Sequence, residues 1–311
     1  MEQCDLVIIG GGPAGLSAAL YAGRSRLKTI LIEKGKTGGQ AATTEDILNY
    51  PGFPEGITGP ELMERMTAQA LKFGVEIIRD EAVKVEAEGN VRRVYGKRQS
   101  YEAKAIILAM GAAPKTLGVP GEGRLRGKGV SYCATCDGDM FTELDIIVVG
   151  NGDAALEEAV YLTKFADRVS IIVRRDEPDL RASKSIQEEA FNNPRINIIW
   201  SSVVAEILGE ELVEAVRLRN VHTNELTEME TNGVFIYVGT LPKTEFVKDM
   251  LQTDDQGYIL ANEKMETSIP GVFTAGDIRY TNLRQVITAA GDGAIAATMA
   301  EKYMEELKKR G

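Results

Sequence analysis

Leu6-Val-Ile-Ile-Gly-Gly-Gly-Pro-Ala-Gly15 decides the fold. The apolar residues Leu6–Ile9 read as a short strand, the glycines as a tight turn, and Pro13–Arg24 as the helix that turn opens. Residues 28–32 read as a second strand ending at Glu33, which completes a βαβ unit. Gly10, Gly12 and Gly15 stand at the G-x-G-x-x-G spacing of a dinucleotide-binding turn. The first permits the turn, the second lets a pyrophosphate approach the backbone, and the third allows close helix–strand packing. Pro13 and Ala14 begin the helix whose N-terminus faces the phosphate charge. Glu33 sets a carboxylate where the ribose hydroxyls of an adenosine would lie.

The same arrangement returns later in the chain. Asp145–Val149 reads as a strand running into Gly150-Asn-Gly-Asp-Ala-Ala155, followed by a helix over 154–165 and a strand over 169–173. Gly150, Gly152, Asp153, Ala154 and Ala155 are the candidate contacts of this second nucleotide site. Segments 104–110 and 233–238 look like strands that emerge into loops, and both loops contain Pro-Lys-Thr, at Pro114-Lys-Thr116 and Pro242-Lys-Thr244. We take these loops as crossings between domains. The expectation is an α/β protein of two Rossmann-like nucleotide-binding domains, the second inserted into the first. The first comprises 1–116 and 245–311, and the second 117–244.

Composition removes several classes. The chain has 311 residues, 44% apolar and 26% charged, and a formal charge of −10, which argues against nucleic acid or an anionic membrane as a general partner. It contains no apolar run of about 18 residues, the length a spanning helix needs. Met1-Glu-Gln-Cys-Asp5 is acidic and leads directly into a strand, so no signal peptide and a cytoplasmic location are expected. Three cysteines and one histidine leave little for a zinc site, and Asp137 after Cys136 excludes a CxxCH haem attachment. His222 lies in a polar stretch and reads as a surface residue, and Cys4 as a small residue at the core edge.

Cys133-Ala-Thr-Cys136, between the two nucleotide patterns, is the chemical centre of the sequence. Cysteines at this spacing close a small disulfide, and a helix N-terminus there would lower a thiolate pKa. Disulfide exchange uses one thiolate to attack and the other to resolve. Asp137 is the nearest candidate proton donor or acceptor. Two nucleotide sites and one dithiol together suggest electrons passing from a nicotinamide, through a flavin, to a disulfide.

Either FAD or NAD satisfies the first turn alone. The C-terminal region favours FAD: Gly271-Val-Phe-Thr-Ala-Gly-Asp277 reads as a strand delivering Asp277, and Arg284-Gln285-Val286 opens a long helix to about residue 304. An aspartate followed by a helix N-terminus suits the ribityl–pyrophosphate region and the charge of a reduced flavin ring.

The ordered set GGGPAG, Gly38-Gly39-Gln40, Cys133-Ala-Thr-Cys-Asp-Gly138 and TAGD followed by RQV resembles low-molecular-weight thioredoxin reductase over essentially the whole chain. The resemblance implies FAD at the first site, with contacts from Asp277, Arg284, Gln285 and Val286, from Gly39 and Gln40, and from Asn49. It implies that reduced FAD reduces the Cys133–Cys136 disulfide, with Cys136 on the flavin side, and that the dithiol then reduces thioredoxin or a thioredoxin-like protein. It also implies a homodimer. Because the dithiol and the flavin fall in different domains, flavin contact and partner contact are expected to alternate through domain movement about the crossings.

The second site departs from the family pattern. Where Glu33 ends the second strand of the first unit, the second unit has Arg174 and Arg175, which favour the 2′-phosphate of NADPH through forked bonds. The family motif HRRxxxR reads here Val173-Arg-Arg-Asp-Glu-Pro-Asp-Leu-Arg181, without the histidine and with two extra residues before the last arginine. NADPH is favoured, and NADH or reduced ferredoxin stays open as the donor. A peroxide-reducing flavoprotein component is disfavoured because that group usually adds an N-terminal thioredoxin-like domain. A redox sensor without turnover would carry an effector module that is not visible. Arg124, Arg126 and Lys128 form a basic cluster that would suit an acidic partner, or simply a solvated loop.

Overall fold

The computed structural model describes residues 1–44, 47 and 49–310. The chain divides into two compact units, Met1–Ala113 with Leu241–Gly311, and Pro114–Thr240. Mixed α/β architecture with parallel sheets is present in both, as the sequence predicts.

In the first unit five strands order as Val272–Thr274, Ala105–Leu108, Leu6–Ile9, Thr29–Glu33 and Glu76–Arg79. All four pairings are parallel, with Leu6 opposite both Thr29 and Ala105. Leu6–Ile9 and Ala105–Leu108 are buried along their whole length, as central strands covered on both faces must be. Helix Pro13–Arg24 packs against the C-terminal helix Val286–Arg310 through small residues. A Cβ on Gly293 would sit 2.1 Å from the Ala14 carbonyl oxygen, so only glycine lets the two backbones meet there. The Ser17 hydroxyl donates to the Ala290 carbonyl at 2.7 Å across the same contact. A second sheet, Glu2–Gln3, Ser100–Ala103, Val91–Gly96 and Ala82–Glu88, was not anticipated from the sequence.

The second unit repeats the plan. Its five-stranded sheet orders as Val130–Ser131, Gly233–Ile236, Asp145–Val149, Arg168–Ile172 and Ile196–Ile199, again parallel throughout. An antiparallel sheet of Ser202–Leu208, Ala215–Asn220 and Leu226–Glu230 is added to it. The two crossing segments, Ala112–Pro114 and Thr240–Pro242, pair as a two-stranded sheet.

Several boundaries differ from the sequence expectation. The helix expected over 154–165 is Asp153–Leu162, because Thr163 to Ala166 turn tightly, with the Phe165 N–H donating to the Leu162 carbonyl. The helix expected to begin at Arg284 begins at Val286, since the Gln285 N–H is taken by the Thr288 hydroxyl, and it runs on to Arg310. At the cysteines the helix is a single turn, Ala134–Asp137, continued as a 3₁₀ turn, Gly138–Phe141. So short an element supplies little of the dipole expected to lower a thiolate pKa.

Candidate active site

Gly10 and Gly150 both lie in the left-handed half of backbone space, with φ of +105° and +155°. Gly12 and Gly152 then take extended N-cap conformations, and no side chain caps either helix. Each helix therefore presents its first amides to whatever lies in front of it, the arrangement that binds a pyrophosphate. In front of Gly12 the space is open: a Cβ there meets nothing nearer than the Gly39 Cα at 3.9 Å. Gly15 is the opposite case, since its Cβ would fall 1.8 Å from the Gly10 carbonyl oxygen. The second turn accommodates Ala155 at the corresponding position.

Around the first turn the structure gathers the residues read from sequence. Glu33 accepts from the Gly11 N–H at 2.7 Å and from the Gly35 N–H at 3.0 Å, which fixes its carboxylate beside the turn with lone pairs to spare. The Gly38 N–H donates to the Gly11 carbonyl at 2.7 Å, and Gly39 and Gln40 begin the 3₁₀ turn Gly39–Thr43. Asn49 Nδ2 donates to Gln285 Oε1 at 3.1 Å, which joins two candidate contacts from distant parts of the chain. Gly12 and Gly39 thus face each other across a backbone-lined cradle.

Asp277 and Arg284, the further expected contacts, lie in the same unit as this turn. Burial is the first cause that raises the Asp277 carboxyl to about 6; Arg284 opposes the rise and Asp292 adds to it. The Arg284 guanidinium stacks 4.4 Å from the centre of the Tyr258 ring, and its Nε is buried without a hydrogen-bond partner. A buried orphan donor on the cation that faces a buried carboxyl marks a place where a further polar group fits. Sequence reasoning missed the support below: Arg279 clamps Asp292 with bonds of 2.6 and 2.9 Å, and Asp292 also accepts from the Gly276 N–H at 3.0 Å.

Cys133 and Cys136 are joined as a disulfide, and both are partly buried. The Cys133 N–H donates to the Ser131 hydroxyl at 3.0 Å, and that hydroxyl lies 2.5 Å from the Asp137 carboxylate. Burial, aided by nearby Asp139 and opposed by the Ser131 bond, pushes the Asp137 carboxyl up, so this acid holds a proton more readily than an ordinary aspartate. Across from it, Tyr237 Oη accepts the Ala134 N–H at 2.6 Å. Neither Ser131 nor Tyr237 carries a sequence signal: Ser131 acts from two residues before Cys133, and Tyr237 from just past the strand Gly233–Ile236, 103 residues from Ala134.

At the second turn the loop after Arg168–Ile172 folds back on the glycines despite its two extra residues. The Arg181 and Ala182 N–H groups donate to the Asn151 carbonyl at 2.9 and 3.2 Å, and Asp153 accepts from the Ser183 N–H at 2.7 Å. Arg175 is paired with Asp179. Arg174 is exposed and has no ion pair among the described residues. The basic cluster is partly committed to its own surface: Arg124 donates to the Glu210 carbonyl, and Arg126 lies over the Tyr132 ring. Burial raises the Cys4 thiol to about 12, in keeping with an unreactive residue at the core edge. Among the described residues no cluster is placed to hold a metal, and no described helix is long and apolar enough to cross a membrane.

Two glycine turns of nucleotide-binding geometry and a disulfide define a class, and comparison with known proteins agrees. Residues 4–293 match the family described as Pyridine nucleotide-disulphide oxidoreductase, and the chain belongs to that family. Within it the similarity is to thioredoxin reductases. That of Peptoclostridium acidaminophilum is 52% identical over 97% of each chain, and that of Bacillus subtilis (strain 168) 47% identical over 98% of this chain and 96% of that one. The crystal structure of thioredoxin reductase from Streptococcus pyogenes MGAS5005 superposes with a TM-score of 0.94 at 49% identity, covering 98% of this chain and 99% of that one. The branch of the family is therefore thioredoxin reductase, a flavoprotein disulfide oxidoreductase working with a pyridine nucleotide.

Proposed function

We propose that the chain holds FAD at the Gly10–Gly15 turn, takes electrons from NADPH at the Gly150–Ala155 turn, and delivers them through Cys133 and Cys136 to thioredoxin or a thioredoxin-like protein. The observation that carries the reading is the pair of uncapped glycine turns, one in each unit, with the disulfide in the second. Bound FAD supplies a two-electron carrier between a hydride donor and a disulfide.

The chain's own residues do the rest. Gly12 and Gly39 admit the pyrophosphate, Glu33 meets the adenosine ribose, and Asn49, Gln285 and Val286 border the isoalloxazine end with Asp277 and Arg284. Arg174 takes the 2′-phosphate, with Arg181 brought close by its backbone bond to Asn151. Reduction breaks the Cys133–Cys136 bond, two electrons and one proton giving one thiol and one thiolate, with Cys136 on the flavin side and Asp137 the group that exchanges the proton with them. The dithiol then exchanges with the partner's disulfide: a thiolate attacks, a mixed disulfide forms, and the second cysteine expels the partner as its dithiol. We place the enzyme in the cytoplasm as a homodimer.

The test is anaerobic reduction of the purified holoenzyme with NADPH and NADH in parallel, followed by flavin bleaching. Rapid bleaching by NADPH alone, lost in Arg174→Ala, supports the assignment. Bleaching by reduced ferredoxin but by neither nicotinamide overturns the donor, an outcome that the Arg175–Asp179 pair and the missing motif histidine keep in view.

A further inference from the structure

The single histidine of the chain is not where a motif would put it, but the fold returns it to the same loop. His222 lies between the strands Ala215–Asn220 and Leu226–Glu230. Its Nε2 is 2.5 Å from Asp176 Oδ1, 46 residues away in sequence. The Ser201 hydroxyl donates to the same oxygen at 2.5 Å. An ionised carboxylate only accepts, so Nε2 is the protonated ring nitrogen. Both bonds hold the Asp176 carboxyl below the usual carboxylate range, His222 first and Ser201 second.

Asp176 stands two residues beyond Arg174 in the loop that folds against the glycine turn. That loop carries Arg174, Arg175 and Arg181 together with Asp176, Glu177 and Asp179, so its formal charges cancel. Their pairing decides what a ligand meets. Arg175 is bound to Asp179, and Asp176 is bound to His222 and Ser201. The backbone under this segment is pinned as well, by the Ser201 N–H on the Arg175 carbonyl at 2.9 Å and the Ser202 N–H on the Val173 carbonyl at 3.0 Å. Among the described residues the Arg174 and Arg181 side chains have no such partner.

We propose that His222 and Ser201 are positioning residues for nucleotide choice: they hold the Asp176 carboxylate so that it neither neutralises Arg174 nor faces the 2′-phosphate of the nucleotide. Without them an acid two residues from Arg174 is released into the site, where it repels a phosphate and leaves a free ribose hydroxyl untouched or better bound. The inference rests on the second turn being the NADP(H) site. All three side chains are exposed or at the rim, so their removal leaves the fold intact, and the effect is that of one solvent-screened charge, about fivefold in affinity.

The test is calorimetric titration of the holoenzyme with 2′,5′-ADP and with 5′-AMP. The proteins are the wild type, His222→Ala, Asp176→Asn and the double variant. The expected result is that wild type prefers 2′,5′-ADP, that His222→Ala weakens 2′,5′-ADP about fivefold with 5′-AMP unchanged, and that adding Asp176→Asn restores it. An equal loss for both ligands in His222→Ala, or failure of Asp176→Asn to rescue, overturns the positioning role while leaving the site assignment standing. A wild type that does not distinguish the two ligands overturns the site assignment and this inference with it.

Discussion

The hydroxyl of Tyr237 accepts the amide proton of Ala134 at 2.6 Å, fixing the turn between the two cysteines from the residue after the strand Gly233–Ile236, 103 positions away in sequence. Ala134 is buried, and the single helical turn it starts has no side-chain cap, so this bond replaces one the turn does not make for itself. Tyr237→Phe is expected to leave a buried N–H unsatisfied and to cost roughly 1–3 kcal/mol in denaturant unfolding.

Asp137→Asn keeps the shape of the side chain and a contact to Ser131 but removes the titrating proton. Because burial raises this carboxyl, the protonated form persists to higher pH than in an ordinary aspartate, and its proton-donating capacity is lost as pH rises through that raised value. Disulfide-reductase turnover in Asp137→Asn is expected to fall by about 10²-fold or more and to lose that alkaline limb. Flavin reduction by nicotinamide, measured alone in stopped flow, is expected to proceed at the wild-type rate.

Asp277, with its carboxyl raised to about 6, gives a pH signature in the cofactor-free protein. A folded value above the unfolded one means that stability from this group is complete below about pH 4 and is lost as pH rises to about 6. The loss is on the order of 3 kcal/mol. Cofactor-free Asp277→Asn is therefore expected to be more stable than wild type at about pH 8 and equal to it near pH 4. Flavin affinity is expected to fall.

Gly12→Ala and Gly15→Ala separate binding from folding at a single turn. An added methyl on Gly12 meets nothing within 3.4 Å and occupies the open cradle, so the protein is expected to fold and be purified without its yellow colour. On Gly15 the same methyl runs into the Gly10 carbonyl at 1.8 Å, and loss of soluble protein or a large fall in melting temperature is expected.

What was legible in the sequence is what backbone geometry forces into composition. A turn at positive φ followed by an uncapped helix requires glycines at fixed spacing, so Gly10, Gly12, Gly15, Gly150 and Gly152 announce themselves. Central strands such as Leu6–Ile9 are legible because they are apolar on both faces. The helix start at Cys133 is present but only one turn long, since a Cys-x-x-Cys spacing fits one turn as well as several. Tyr237 with Ala134, and His222 with Asp176, were invisible because each pair joins turns and loops that the fold brings together from 103 and 46 residues apart, which no local spacing encodes.

The contact of Gly293 with Ala14 has a consequence for synthesis on the ribosome. Ser17 and Ala290, bonded beside it, are 273 residues apart, so the first helix to emerge waits for the last before its inner face is covered. The unit Pro114–Thr240 is contiguous and is complete well before then. Domains usually mature in the order they are translated. Here the inserted unit, with its cysteines, can finish while the surrounding one is still open. A nascent chain stalled short of Val286–Arg310 should then expose the alanine-rich face of Pro13–Arg24 as a ready target for chaperones.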